Sequence, residues 1–248
     1  MAAAAVVPPQ QPAPLSEPQR LIDTFVAPSK TFTDLRRSAM WWAPYIIIAI
    51  VGFLFVYAVD VKVGWEKVVD NQIQMKPKAA ERLQNMPTDQ REKTIGQQVG
   101  LTKIIAYSVP AIALVIYAIF AAVVFAAVKF AANAEVQFKT VFALIVYSRL
   151  PELVRTVLST ISLLAGVSTD SFDINNPLAT NGAYFMDPSG SPVLRALVGS
   201  FDIITIWTLV LVAIGIPCIA KVKRGTAFGI VIAWFAFTVL LKLGLASL

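Results

Sequence analysis

The sequence predicts an all-α membrane protein: a polytopic bundle of five transmembrane helices, with N-terminal interfacial helices and a helical extracytoplasmic loop. Three observations lead there. Apolar residues make up 57% of the chain, where soluble domains hold roughly 45–50%, and mean hydropathy is +0.69. They gather in five stretches, 43–59, 103–128, 140–167, 201–220 and 226–245. Each is close to the roughly 20 residues a helix needs to cross about 30 Å of hydrocarbon, the first only if Trp41 and Trp42 are counted. Lipid offers backbone amides no partner, and the short alternating pattern of a β-barrel is missing, so the stretches are expected as helices.

Ahead of them, residues 1–15 read as a disordered Pro/Gln-rich tail. Met1–Val7 lacks a basic start and runs straight into Pro8 and Pro9, which no signal peptide core tolerates. Ser16 with Gln19 has capping-box form, and Leu21, Ile22, Phe25 and Val26 share one face of a helix ending at Pro28. A second segment, Thr31–Met40, places Phe32 and Leu35 on one side before Trp41 and Trp42. Residues 16–40 are therefore expected on the membrane surface, with Phe25, Pro28, Phe32, Trp41 and Trp42 as interfacial anchors. Amphipathicity does not name the partner, so a helical cap packed on the bundle fits the same pattern.

From residue 41 to 248 the chain reads as the transmembrane domain, oriented by its basic residues. Arg20, Lys30, Arg36 and Arg37 precede the first stretch, Lys129 and Lys139 bracket the turn after the second, and Lys221, Lys223 and Arg224 fill the turn after the fourth. The positive-inside rule places these segments in the cytoplasm, which gives a cytoplasmic N-terminus and an extracytoplasmic C-terminus. The connection 168–200, with Asp170, Asp173 and Asp187 against Arg195, then faces outward. So does 60–102, although it carries seven basic residues beside six acidic ones. That loop is expected as two helices, Trp65–Asn85 and Thr88–Lys103, divided at Pro87 with Thr88 as cap. It reads as a solvated hairpin or as a docking surface for a partner.

The third stretch is the unusual one, because Tyr147, Ser148, Arg149, Pro151, Glu152 and Arg155 fall near its middle. Charges at that depth cost at least ~2.5 kcal/mol each, so they should face protein or water. Glu152 lies three residues from each arginine and can pair with either; Asp202, at the outer end of the fourth stretch, is the expected second partner for Arg155. Pro151 should kink or break the helix and free backbone groups for Ser148 or an arginine to satisfy. Broken, charged helices line substrate paths in transporters. A kink held by interhelical ion pairs explains the same residues structurally.

Other chemistry is poorly provided for. The chain has no histidine, a single cysteine, Cys218, and no phosphate loop, nucleophile elbow or metal-spacing motif, so neither enzymatic activity nor a metal or cofactor is expected. The net charge of +6 sits beside the apolar runs as a topology signal, and no nucleic-acid partner is expected. Small-residue pairs, Ala122 with Ala126 and Gly225 with Gly229, allow close helix packing.

Several motifs in order resemble the Yip family, the Ypt/Rab-interacting membrane proteins. Arg20-Leu21 through Phe25 and Pro28, Thr31-Phe32, and Trp41-Trp42-Ala43-Pro44 look like the opening segment of prokaryotic Yip-domain proteins. Tyr147 to Pro151 resembles the family's middle span. Asp202-Ile203-Ile204-Thr205-Ile206-Trp207, through Leu211 and Gly215, resembles its fourth. The resemblance covers nearly everything after Ser16 and implies a five-helix domain with a cytosolic N-terminus and a C-terminus across the membrane. Eukaryotic members bind Rab-type GTPases in vesicle traffic. Their Asp-Leu-Tyr-Gly-Pro segment is missing here, with Ala27-Pro28-Ser29-Lys30-Thr31-Phe32 near its place, so the resemblance implies a bacterial inner-membrane member without Rab binding. Two functions stand open: a non-enzymatic scaffold or accessory subunit contacting lipid and a protein partner or second copy, and a transporter, channel or lipid-translocating protein using the polar centre of the third span.

Overall fold

Pro, Gly and charged residues punctuate the chain into eleven α-helices in the computed structural model, which describes residues 13–166, 168–170, 172–187 and 190–247. Among the described residues all regular structure is helical. The tail expected over 1–15 falls almost wholly outside them.

At the N-terminus, α1 (Glu17–Val26) starts on the Ser16/Gln19 capping box and α2 (Pro28–Asp34) on its proline, whose missing N–H is one the first turn leaves unpaired anyway. The two helices differ in where their apolar residues go. Phe32 and Leu35 are fully buried in the main core, and Phe32 lies against Gly215 and Leu144. A Cβ at Gly215 would stand 2.0 Å from Leu144 Cδ1 and 3.0 Å from Phe32 Cδ2, so the glycine is what lets three helices meet. Phe25 sets its ring edge-on to Trp207, 5.8 Å between centroids, while Ile22 and Val26 stay exposed. The pair therefore lies along the side of the bundle, and the packed alternative describes Phe32 better than a headgroup anchor does. The second segment is also shorter than expected, its helix ending at Asp34 rather than Met40.

The first apolar stretch forms α3 (Trp42–Lys62). Trp41 packs edge-on against Phe142 at 5.1 Å, and Trp42 is half exposed. The loop that follows holds α4 (Trp65–Gln74) and α5 (Pro77–Gln84); Pro77 divides the expected Trp65–Asn85 helix because it suits a first helical position and not an interior one. Pro87, not Thr88, is the cap residue of α6 (Thr88–Ala126), and α6 runs on without interruption through the whole second apolar stretch into a π turn, Ala127–Ala131. Pro110 is accommodated inside it, and its carbonyl accepts from the Tyr45 hydroxyl at 3.1 Å.

The third stretch is two helices, α7 (Phe138–Ser148) and α8 (Pro151–Leu164). Beyond it come a 3-10 turn (Gly182–Phe185), α9 (Pro192–Ser200), α10 (Ile203–Ile219) and α11 (Arg224–Ser247). The main core joins α2, α6, α7, α10 and α11, and a smaller cluster joins Val56, Val59, Trp65, Val68, Ala106 and Leu163.

By length and composition, three helices among the described residues can cross a membrane: α3, α6 with its π turn, and α11. A fourth crossing arises if α9 and α10, bent by 47°, act as one. Five were expected. The difference lies in the third stretch, where the break leaves pieces of 11 and 14 residues, and in α10, which alone has 17. A broad apolar surface, including Ile46, Ile50 and Phe53 of α3, Ile112, Val115 and Ile119 of α6 and Phe237, Leu240 and Leu241 of α11, faces out of the bundle. A surface of that extent needs lipid, and the protein is an integral, multi-pass membrane protein.

Candidate functional site

The break between α7 and α8 is built to leave few loose ends in the backbone. Pro151 brings no N–H, and the amides around it turn to carbonyls three residues back: Arg149 to Val146 (3.1 Å), Leu150 to Tyr147 (3.1 Å), Glu152 to Arg149 (2.9 Å) and Leu153 to Leu150 (3.0 Å). Ser148, expected to help here, does not; its Oγ is buried without a hydrogen-bond partner. The arginines likewise spend their side chains on carboxylates and rings.

Two charge clusters flank the break. On the α8 side, Glu152 stands between the arginines, its Oε1 3.7 Å from Arg149 Nη1 and its Oε2 3.2 Å from Arg155 Nη1. Arg149 also lies over the faces of Tyr117 (5.4 Å) and Phe120 (5.6 Å) of α6, whose ring quadrupoles favour a cation. Arg155 reaches across to Asp202, which is nearly buried and caps α10 by accepting from the Thr205 amide at 2.9 Å. Thr180 and Asn181 also donate to Asp202, and the Ile203 amide donates to the Thr180 carbonyl at 3.0 Å. The 168–200 connection is thereby tied to the head of α10. Thr180 and Asn181 were invisible in the sequence because polar residues in a polar loop carry no periodic signal.

The second cluster joins the N-terminal helices to α7. Arg20, 3% exposed, donates through Nε (2.8 Å) and Nη2 (2.5 Å) to Oδ2 of Asp34 and through Nη1 (2.9 Å) to Glu17. Asp34 also accepts from Arg37, and Thr24 and Thr31 both donate to the Arg20 carbonyl. Fully buried Tyr147 donates to Glu17 Oε2 at 2.7 Å. Burial pushes the Asp34 carboxyl up, but its bonds to Arg37 and Arg20 and their charges outweigh this and hold it below the ordinary aspartate value. In the sequence Arg20 stood out as an orienting charge and as part of a motif; its pairing across the α1–α2 turn required the fold.

The structure thus joins Arg149, Glu152, Arg155 and Asp202 in one cluster beyond Pro151, and sets Tyr147 apart from them in a second with Glu17, Arg20 and Asp34, which the sequence had not grouped with it. Among the described residues no three His, Cys, Asp or Glu side chains are arranged to hold a metal ion.

Among known families, the Yip1 domain matches the chain over residues 22–245. No curated protein and no solved structure matched. The matched span begins within α1, just after Glu17 and Arg20, takes in α2 with Asp34 and the whole Arg149–Glu152–Arg155–Asp202 cluster, and ends in the last turns of α11. With an all-helical membrane fold and a family match over nearly its whole length, the chain belongs to the Yip1-domain family.

Proposed function

We propose that this chain is a non-enzymatic membrane scaffold or accessory subunit that organises partners or lipid in the membrane. The observation that carries the reading is the mutual pairing of the ions at the α7–α8 break. Arg20, Glu17 and Asp34, and Arg149, Glu152, Arg155 and Asp202, are engaged with one another and hold helices together. A transport path would call for ions that exchange partners with a substrate, so the pairing favours the scaffold over the transporter. In this reading α7 and α8 act as one broken crossing, which makes five in all, with the N-terminus in the cytoplasm and the C-terminus outside a bacterial inner membrane.

The α4–α5 pair and the start of α6 then form a surface beyond the membrane for a protein partner or a second copy. Crosslinking in cells followed by purification in mild detergent should recover a stoichiometric partner or a defined homo-oligomer. A protein that stays monomeric and alone through that procedure refutes the scaffold. Reporter fusions at residue 248 test the topology, with activity expected only from a reporter that works outside the cytoplasm.

A further inference from the structure

At the end of the bundle away from the Lys129–Lys139 and Lys221–Arg224 turns, α5, residues 173–183, α9, the head of α10 and the tail of α11 line an open cavity of about 1190 Å³. Its volume exceeds the roughly 300–1,000 Å³ of ordinary small-molecule sites. Six basic residues line it, Lys76, Lys78, Arg82, Arg155, Arg195 and Lys242, against two acidic ones, Asp173 and Asp202. Asp202 is already committed to Arg155, Thr180, Asn181 and the Thr205 amide, and Asp173 accepts from the Asn175 amide at 2.9 Å. Lys76, Lys78, Arg82 and Lys242 form no salt bridge among the described residues. The cavity therefore carries an excess of cations, while Met75, Leu83, Met86 and Leu245 give it an apolar side.

We propose that this cavity binds a phosphate-type anion, with the lysines and arginines on the charge and the apolar side on whatever hydrocarbon the anion carries. Arginine and lysine together suit a phosphate, the first by its planar fork and the second as a mobile point charge. Basic pockets between membrane helices hold lipid headgroups by the same chemistry. The anion can come from an anionic phospholipid or from a soluble phosphate compound, and the mixed lining accepts both. Arg155 belongs both to the cavity wall and to the Glu152–Asp202 cluster, so occupancy is felt at the α7–α8 break.

The test uses the full chain in nanodiscs of phosphatidylcholine with increasing phosphatidylglycerol, read by native mass spectrometry of retained lipid and by thermal unfolding, with inorganic phosphate as a separate arm. Phosphatidylglycerol should be retained and raise the melting temperature. The triple variant Lys78→Gln/Arg82→Gln/Lys242→Gln, which changes only exposed side chains, should bind on the order of tenfold more weakly or worse. Inorganic phosphate that stabilises the wild type alone and displaces the lipid identifies a soluble source for the same site. Equal retention of phosphatidylcholine and phosphatidylglycerol with no response to phosphate, or a triple variant that binds like wild type, overturns the proposal.

Discussion

Asp34 offers the sharpest test of what the N-terminal helices do. Replacing it with leucine, branched at the same carbon but uncharged, removes both Arg20 bonds, at 2.8 and 2.5 Å, and the Arg37 contact, while Arg20 stays buried with Glu17 at 2.9 Å as its remaining anion. Breaking a buried pair costs about 3–5 kcal/mol, and the surviving Glu17 contact puts this case near the lower end, about 3 kcal/mol. At roughly 2–4 °C per kcal/mol for a chain of this size, Asp34→Leu should melt about 6–12 °C below wild type. The assay is built in: Cys218, the only cysteine, lies partly buried in α10, the helix that α2 packs against. A fluorogenic thiol dye in detergent therefore reports when α10 loses its neighbours. The double variant Arg20→Met/Asp34→Leu should recover most of the loss, because the stranded charge is gone. An Asp34→Leu protein that melts like wild type, or a double variant no better than the single, would refute the claim that this ion pair is dry and holds α1 to α2.

Gly215→Val should cost about 1–3 kcal/mol of overpacking and be partly rescued by Leu144→Ala, measured by the same melt, since Leu144 Cδ1 is the nearest obstacle at 2.0 Å. Glu152→Gln should cost only about 1–2 kcal/mol: the cluster is partly exposed, Arg155 keeps Asp202 and Arg149 keeps the two ring faces. A loss as large as that of Asp34→Leu would show the second cluster to be as dry as the first. Asp34 is held below its unfolded pKa of about 4, so its contribution is full above that value and disappears as pH falls through the lower folded pKa. Acid titration should accordingly lower the melting temperature of the wild type from below about pH 4, and the Arg20→Met/Asp34→Leu variant should lack that component.

Much of the helical framework was legible because hydrocarbon leaves the backbone few options. A run of apolar residues near 20 long must pair its own amides, and α3, α6 and α11 follow directly. The break at Pro151 was legible because charged residues flank that proline, whereas Pro110 and Pro217, in apolar runs, stay inside α6 and α10. What stayed hidden were choices between surfaces of similar character. The apolar face of α2 suits lipid and protein equally well, and only the gap left by Gly215 shows which it meets. The unbroken run of α6 from water into lipid was missed because Lys103, a boundary by composition, is an ordinary helical residue by propensity. Asp202 could be paired with Arg155 from depth alone, whereas Thr180 and Asn181 could be found only once the loop had a shape.

The hydrogen bond from Tyr147 to Glu17 joins residues 130 apart in the chain. α1 and α2 have their buried partners in α7 and α10, which leave the ribosome long after them, so the pair cannot settle until those helices have followed. Until then Arg20, Glu17 and Asp34 must remain solvated or be shielded by something else. Here helices made before α7 are finished only after it, and maturation in the cell is exposed to interference throughout that delay.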